Sequence, residues 1–432
     1  MKYLKKVNKM IRILRLRSYF FPENVAASHL TDDLENALAT NGFYTINYAP
    51  TPSRGITEED RQKYKKIKNE TFKSGKVIVH RFPMFRESNR SIQRGFRYGL
   101  CTIIEYFLGI KEKNIDVVFS SSTPPTQGML SAKVAKKLSK RYGKRVPFVF
   151  NLQDVFPDSL VNAGMTKRGS IIWKIGRRIE DYTYRHADKI IVISEGFKRN
   201  IIEKGVPADK IEVVSNWVDL SNIHPVERRY NKLFDELGID RSKFIVVYAG
   251  NIGEAQGADV IIDAAKQVSN ISDIQFVIFG GGVKLQELIN RVKEERITNV
   301  NITCLQSQER VSEVYSMGNI ALITCKPGTG SAGLPSKTWS IMACNTPIIA
   351  SFDRESDLAE ALGEASAGYC VEPGNAISLA EAIEIEYKER ESLNPKLVNS
   401  REYALNHASK EMCVQKYIEV IQKVYRENKV NE

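Results

Sequence analysis

The stretch Phe244-Ile245-Val246-Val247-Tyr248-Ala249-Gly250-Asn251-Ile252-Gly253-Glu254-Ala255-Gln256-Gly257 decides the reading of the fold. An apolar, β-branched run reads as a buried strand, and the glycines after it read as a turn opening a helix. Similar runs precede it at Ile11 to Leu16, Val77 to His80, Asp116 to Ser120, Pro147 to Asn151 and Lys189 to Ser194. Others follow at Ile274 to Phe279, Val300 to Thr303, Asn319 to Thr324 and Pro347 to Ala350. Longer segments of helical period, such as Ala26 to Ala39 and Ser131 to Arg141, lie between them. Strand alternating with helix implies an α/β chain with parallel, doubly wound sheets. The pattern restarts after the polar stretch around Ser221 to Asp240, so two Rossmann-like halves are expected. The expected boundaries are 1–222 and 223–400, with 401–432 a helical segment packing across the junction of both.

The 432 residues are too many for one compact core and agree with two domains. At 42% hydrophobic and 26% charged, the composition excludes wholesale disorder. No run reaches the about 18 uncharged apolar residues of a membrane-spanning helix. Arg12, Arg15 and Arg17 interrupt the start of the chain, which does not read as a signal peptide. Six scattered cysteines without a Cys-x-x-Cys pair argue against a disulfide framework or zinc site and fit a reducing cytosol. The net charge of +12 divides into +20 for residues 1–200 and −8 for the remainder. A basic half meets nucleic acid, phosphate or an anionic membrane surface.

Ligands of open parallel sheets bind beyond the carboxyl ends of the strands, so the loops there are where chemistry is sought. After the first strand, Glu23, Asn24, Ala27 and Ser28 lie in a loop of small residues that lets backbone approach a ligand, or caps a helix. In the opening stretch, Asn251, Ile252, Gly253 and Gln256 form a candidate phosphate cradle of backbone N–H groups. It lacks the lysine of a Walker loop and the spacing of a dinucleotide fingerprint. Gly280 and Gly281 repeat the theme more weakly. The richest loop runs from Lys326 to Lys337, with Ser331, Gly333, Leu334, Pro335 and Ser336 bracketed by the two lysines and Ser340 in the helix beyond. Exposed backbone donors between cations suit a diphosphate clamp, with a flexible surface loop as the alternative. Gln153 and Asp154 end another strand, where the carboxylate either orients or deprotonates an acceptor hydroxyl, or caps a turn.

Taken together, Tyr19-Phe-Phe-Pro-Glu23, Ala187-Asp-Lys-Ile-Ile-Val-Ile-Ser194, Asn216-Trp-Val-Asp219, Gly250-Asn-Ile-Gly253 and Met342-Ala-Cys-Asn-Thr-Pro347 resemble the family-four glycosyltransferases of GT-B type. More narrowly, Pro22 to Ser28, Gly253 to Gly257 and Pro335-Ser-Lys-Thr-Trp-Ser340 are similar to bacterial fucosaminyltransferases and colanic-acid-type transferases of surface polysaccharide assembly. The resemblance implies a GT-B fold with two domains facing across a cleft, the acceptor on the first and the donor on the second. It implies metal-independent, retaining transfer from a nucleotide-diphosphate sugar, UDP-linked by preference, carrying N-acetyl-L-fucosamine or a related deoxy or amino sugar. The acceptor is an undecaprenyl-diphosphate-linked saccharide of O-antigen or capsule synthesis. No cofactor and no metal are implied. The sequence departs from the family pattern at the donor loop, where Ala332 and Ser340 occupy the positions of its two glutamates. Asn251 and Gln256 stand where the family has a basic pair, and Gln153 where it often has histidine. Lys337 and Lys326 are therefore expected to compensate the leaving diphosphate, with Asp154 as positioning group or base.

The densest basic stretch, from Arg81 through Arg86, Arg90, Arg94 and Arg97 to Leu108, interleaves cations with Phe82, Met84, Phe85, Phe96 and Tyr98. It suits an anionic bilayer and a cytoplasmic protein bound to the inner membrane face, or is a solvated helix face whose apolar residues pack into the core. Lys133, Lys136, Lys137, Lys140, Arg141, Lys144 and Arg145 form a second basic cluster, or a solvated helix face. A nucleotide-sugar epimerase would share the two-domain plan, but its cleft needs histidines that the five here do not cluster to provide. A nucleic-acid binder would use the basic half and leave the glycine loops unexplained, so no nucleic-acid partner is expected. A dinucleotide oxidoreductase lacks its fingerprint.

Overall fold

The computed structural model describes residues 10–23, 28–88, 91–162, 164–330, 333–390 and 400–430. Asn24, Ala27 and Ser331 lie outside the described residues, as does the side chain of Ser28. The first sheet contains β1 (Ile11–Leu16), β2 (Phe43–Pro50), β3 (Asn69–Phe72), β4 (Val77–Phe82), β5 (Val117–Ser121), β6 (Phe148–Leu152), β7 (Lys189–Val192) and β8 (Ile211–Val213). Their spatial order is β3-β4-β2-β1-β5-β6-β7-β8. The second holds β9 (Phe244–Asn251), β10 (Ile274–Gly281), β11 (Val300–Cys304), β12 (Ile320–Thr324), β13 (Ile348–Ser351) and β14 (Gly368–Val371), in the order β11-β10-β9-β12-β13-β14. Chain connectivity and packing separate two units. One comprises Met1–Ile193, Phe197–Val214 and Val414–Glu432, and the other Ser194–Gly196 and Ser215–Cys413.

In each sheet the order reverses beside one central strand. Ile13 of β1 pairs with Thr45 on one side and Val117 on the other, and Val246 of β9 lies between Phe276 and Ile320. Such a reversal parts the two flanking loops at the carboxyl ends and leaves a crevice there. In the second unit it brings the loop after β9 beside the loop after β12. Alternation along β9 fills both layers of this unit. Ile245, Val247 and Ala249 pack with Phe279, Ile323, Trp339 and Met342, while Phe244, Val246 and Tyr248 pack with Ile262, Ile278, Ile349 and Leu379. The period-two pattern with both faces apolar is that of a sheet covered on both sides by helices.

The first sheet is not wholly parallel. β3 runs antiparallel to β4, because the tight turn at Lys73 to Lys76 leaves no room for a crossover helix. β2, β3, β8 and β14 carry weaker apolar patterns; β2, for example, buries Thr45 and Asn47 among its hydrophobic residues. The C-terminal helical segment is two helices, Ser400–Ala408 and Lys410–Val430. Val218 separates them by accepting from Lys410 N and donating to Ala408 O at 2.9 Å. Phe279 is fully buried between β10 and its helices. Phe279→Ala should therefore lower the unfolding free energy of the second unit by about 3–5 kcal/mol, read as a shifted denaturant midpoint at unchanged slope.

Candidate active site

The carboxyl end of β9 begins the site of the second unit. Gly250 holds φ at +151°, and a Cβ there would stand 3.3 Å from Lys337 Nζ, so this backbone leaves the ammonium its place. Lys337 opens the helix Lys337–Ala343 and reaches from the loop after β12 to the end of β9. Its Nζ lies 4.2 Å from the centre of the Tyr248 ring and donates to Ala249 O at 3.4 Å. Among the described residues no carboxylate pairs with it. Part of the side chain remains at the surface, but the ammonium itself is withdrawn from water, and burial pulls its pKa down from 10.5 to about 8. The ring face and a carbonyl compensate a cation only partly. An anion delivered to this spot would complete its surroundings.

The glycine loops around it are shaped by close packing. Ile252 is buried, its N–H donates to Gly281 O at 2.6 Å and its carbonyl accepts from Lys284 N at 3.0 Å. It therefore braces β9 to β10 and is not the donor contact expected from its place in the loop. A Cβ on Gly280 would meet Ile252 Cδ1 at 2.3 Å, and one on Gly281 would meet Leu305 at 2.9 Å. These two glycines are required for strand-end packing whether or not a ligand binds. The neutral positions Asn251 and Gln256 bond to one another, Nδ2 to Oε1 at 3.0 Å, over Gly253, whose absent Cβ leaves room for both.

Lys326 is not an isolated cation of the donor loop. Its Nζ pairs with Glu254 at 2.5 Å, and the other oxygen of Glu254 pairs with Lys284 at 3.0 Å. Lys284 also stands 3.6 Å from Glu287, so two lysines and two carboxylates form this rim, with Glu254 depressed below the ordinary carboxylate range by its two lysine hydrogen bonds. Asp353, just beyond β13, accepts from Gly328 N at 3.0 Å and Gly330 N at 2.8 Å. That carboxylate takes two backbone donors that the sequence assigns to a diphosphate and fixes the loop instead. Gly333 donates to Gly330 O at 2.9 Å, Leu334 packs on the core, and Pro335 accepts from Thr338 N. Ser336 is exposed and Ser340 half-buried, both beside Lys337 in sequence. Lys284, Glu254 and Asp353 escaped the sequence reading because their partners lie on loops distant in sequence.

In the first unit, Gln153 and Asp154 follow β6, and both backbone N–H groups donate to Ser122 Oγ, at 3.0 and 3.1 Å. Gln153 Nε2 is tied to Asn151 Oδ1 at 2.9 Å, which also accepts from Tyr417. The Asp154 carboxylate accepts from Ser159 Oγ at 3.2 Å and borders a narrow cavity with Ser122, Glu180, Thr183 and Tyr184. Although the residue presents surface to solvent, crowding of the carboxyl raises its pKa. Glu23 is the clearest departure from expectation. Its buried carboxylate accepts backbone N–H bonds from Ser53 at 2.8 Å, Arg54 at 3.1 Å and Phe20 at 3.2 Å. A carboxylate so occupied ties two loops together and has little left for an acceptor. Burial nonetheless raises its pKa, those three bonds opposing the shift.

The basic stretch after Arg81 also divides. Arg81 and Arg97 are buried, the first paired with Glu70 at 2.7 Å and the second 4.0 Å from Glu87, while Phe82 and Met84 belong to the core. Arg86 remains outside. On the helix Gln127–Tyr142, Lys133, Lys136, Lys137 and Lys140 are exposed opposite a buried apolar face.

Two family profiles match this arrangement: Glycosyltransferase Family 4 over residues 27–222 and Glycosyl transferases group 1 over residues 230–404. The chain is a glycosyltransferase of GT-B fold. It belongs to the family-four glycosyltransferases, and the epimerase and nucleic-acid readings fall away. It is 26% identical over 305 residues to a Pseudomonas aeruginosa protein, "Probable glycosyltransferase WbjE", covering 69% of this chain and 74% of that protein. It is 27% identical over 288 residues to an Escherichia coli (strain K12) protein, "Putative colanic acid biosynthesis glycosyl transferase WcaI", covering 65% of this chain and 68% of that protein. Among solved structures, Anabaena Alr3699/HepE in complex with UDP and glucose superposes with a TM-score of 0.68 at 14% identity, covering 95% of this chain and 99% of that one.

A buried, uncompensated ammonium costs stability wherever it is charged. The folded pKa of about 8 lies below the ordinary 10.5, so this cost is present in full below pH 8 and is relieved as pH rises toward 10.5. Lys337→Met should thus raise the unfolding midpoint at neutral pH, by on the order of 1 kcal/mol given the exposed stem, with the gain shrinking in alkali. Chemical denaturation across that pH range checks it, and an unaltered or lowered neutral midpoint would contradict it.

Proposed function

We propose that this chain transfers a sugar from a UDP-linked donor to a lipid-linked saccharide during surface polysaccharide synthesis. The observation that carries the reading is the Lys337 ammonium, held against Gly250 and the Tyr248 ring with no carboxylate partner among the described residues. In this reading the donor diphosphate lies at the carboxyl end of β9, with Lys337 on its oxygens and the Lys284–Glu254–Lys326 rim beside it. Ser336, Ser340 and the backbone donor of Gly253 hold ribose or sugar hydroxyls. UDP is favoured because a structure of the same fold carries UDP and glucose. The polysaccharide pathway is favoured because one relative is assigned to colanic acid biosynthesis. An N-acetyl-L-fucosamine-type sugar and an undecaprenyl-diphosphate acceptor remain the preferred chemistry, with the acceptor on the first unit.

The bond from the anomeric carbon to the diphosphate oxygen breaks, and one to the acceptor hydroxyl oxygen forms on the same face, retaining configuration. Negative charge grows on the departing diphosphate, where a preorganised cation acts most strongly. The acceptor hydroxyl gives its proton to Asp154, whose raised pKa makes it a better base than an ordinary carboxylate. No protein nucleophile, metal or cofactor enters this scheme.

Calorimetric titration with UDP and GDP tests the donor half. UDP should bind, and failure of both nucleotides would contradict the reading. Lys337→Ala should weaken UDP by about 10–100-fold, the loss of one charge-assisted contact. Wild-type affinity should fall as pH rises through about 8, because the ammonium then loses its proton, and Lys337→Arg should flatten that dependence. Asp154→Asn should leave UDP affinity intact while lowering turnover by about 100-fold or more. Unchanged turnover would remove Asp154 from the chemistry.

A further inference from the structure

The helix Ile171–His186 carries an apolar surface that its own fold does not use. Ile171 is 78% exposed, Ile172 57% and Ile175 51%, and Met165 in the preceding turn is 61% exposed. Gly176, Glu180, Thr183 and Tyr184 turn inward on the same helix, so the isoleucines are surplus to the core. Single exposed apolar residues are ordinary, whereas four within eleven residues form a patch. From residue 159 to residue 179 the chain has Lys167, Arg168, Lys174, Arg177 and Arg178 and no acidic residue. Arg177 is paired with Glu180 and Asp181 in its own helix. Lys167, Lys174 and Arg178 form no ion pair among the described residues.

We propose that the Met165-to-Ile175 turn is a membrane-docking wedge that seats the first unit on an anionic bilayer. Isoleucines partition into the acyl boundary while the flanking cations meet anionic headgroups. A nucleic acid would use the cations and leave the isoleucines in water, and the core of a protein interface is poor in lysine. Two helices of the same layer also expose cationic or apolar residues. The helix Gln127–Tyr142, which packs against Ile171–His186, presents its lysine ridge outward, and Lys133 Nζ reaches 5.7 Å from the Tyr182 ring. On its other flank the helix Ser91–Gly109 exposes Phe96, Ile103 and Phe107 at spacings of seven and four, one helical stripe.

The wedge adjoins the candidate base. A Cβ on Gly176 would meet Pro157 at 2.7 Å and Phe156 at 2.8 Å, so the helix presses on the segment just after Asp154. Its later turns, at Glu180, Thr183 and Tyr184, line the cavity that holds the Asp154 carboxyl. A membrane seated on Ile171 and Ile175 would bring a lipid-linked hydroxyl close to that carboxylate. The proposal rests on the function above only for the lipid-linked acceptor.

The test is vesicle flotation of the full chain, with phosphatidylcholine alone or with phosphatidylglycerol added, beside UDP titration and thermal unfolding. Wild type should float with the anionic vesicles and not with the neutral ones. Ile171→Ser/Ile172→Ser/Ile175→Ser should reduce that binding by about tenfold or more while UDP affinity and the unfolding midpoint stay at wild-type values. Wild-type flotation of this variant, or equal flotation on neutral vesicles, would overturn the proposal. So would flotation that appears only when a polyprenyl diphosphate is added, since the surface would then read the acceptor and not the bilayer. Loss of UDP binding by wild type with flotation intact would strike the donor assignment and leave the wedge standing.

Discussion

A single buried cation organises the second unit. The Lys337 ammonium sits on the Tyr248 ring and near the Ala249 carbonyl, where water is largely excluded and, among the described residues, no carboxylate answers it. Neither a ring quadrupole nor a neutral carbonyl replaces full hydration, which is why burial draws its pKa toward neutrality. The surrounding backbone is arranged to tolerate this. Gly250 leaves the space, the reversal of strand order beside β9 brings the two loops together, and the short helix after Pro335 starts at the lysine itself. Stability is given up at one point so that an anion finds a preorganised partner.

The remaining loop chemistry is arranged around that point. Asn251 and Gln256, which replace a basic pair, satisfy each other and contribute no charge. Glu254 gathers Lys284 and Lys326 into one rim, and Asp353 holds the glycines of the donor loop by their amides. Lys284 and Lys326, on the loops after β10 and β12, stand in a balanced cluster with Glu254 and Glu287. The overall acidity of this half of the chain is no obstacle, because local donors at a few ångströms outweigh distant screened charges.

Much of the fold was legible in the sequence because β-branched runs and glycine turns alternate along both halves. Strands with polar residues inside them, such as β2 with Thr45 and Asn47, were obscured, and so was the short antiparallel β3. The break at Ser409 depends on Val218, almost two hundred residues away, and no local pattern marks it. At the site, Lys337 could be picked out because it stands among small residues where a charge has few competing explanations. Ile252 and Gly280 belong to the same glycine pattern but serve packing, a distinction that only neighbouring strands reveal. Glu23 looked like a ligand group and is a brace, since the backbone donors that occupy it come from a loop thirty residues on. Arg97 read as a surface cation, yet the helical period turns it to the interior.

The titration of Lys337 itself tests this account most directly. With isotope-labelled lysine side chains, its resonance can be followed by NMR against pH, with and without UDP. The account predicts a midpoint near 8 in the free protein that moves upward when UDP binds, as the diphosphate stabilises the ammonium. A midpoint near the ordinary 10.5 that UDP does not move would contradict it.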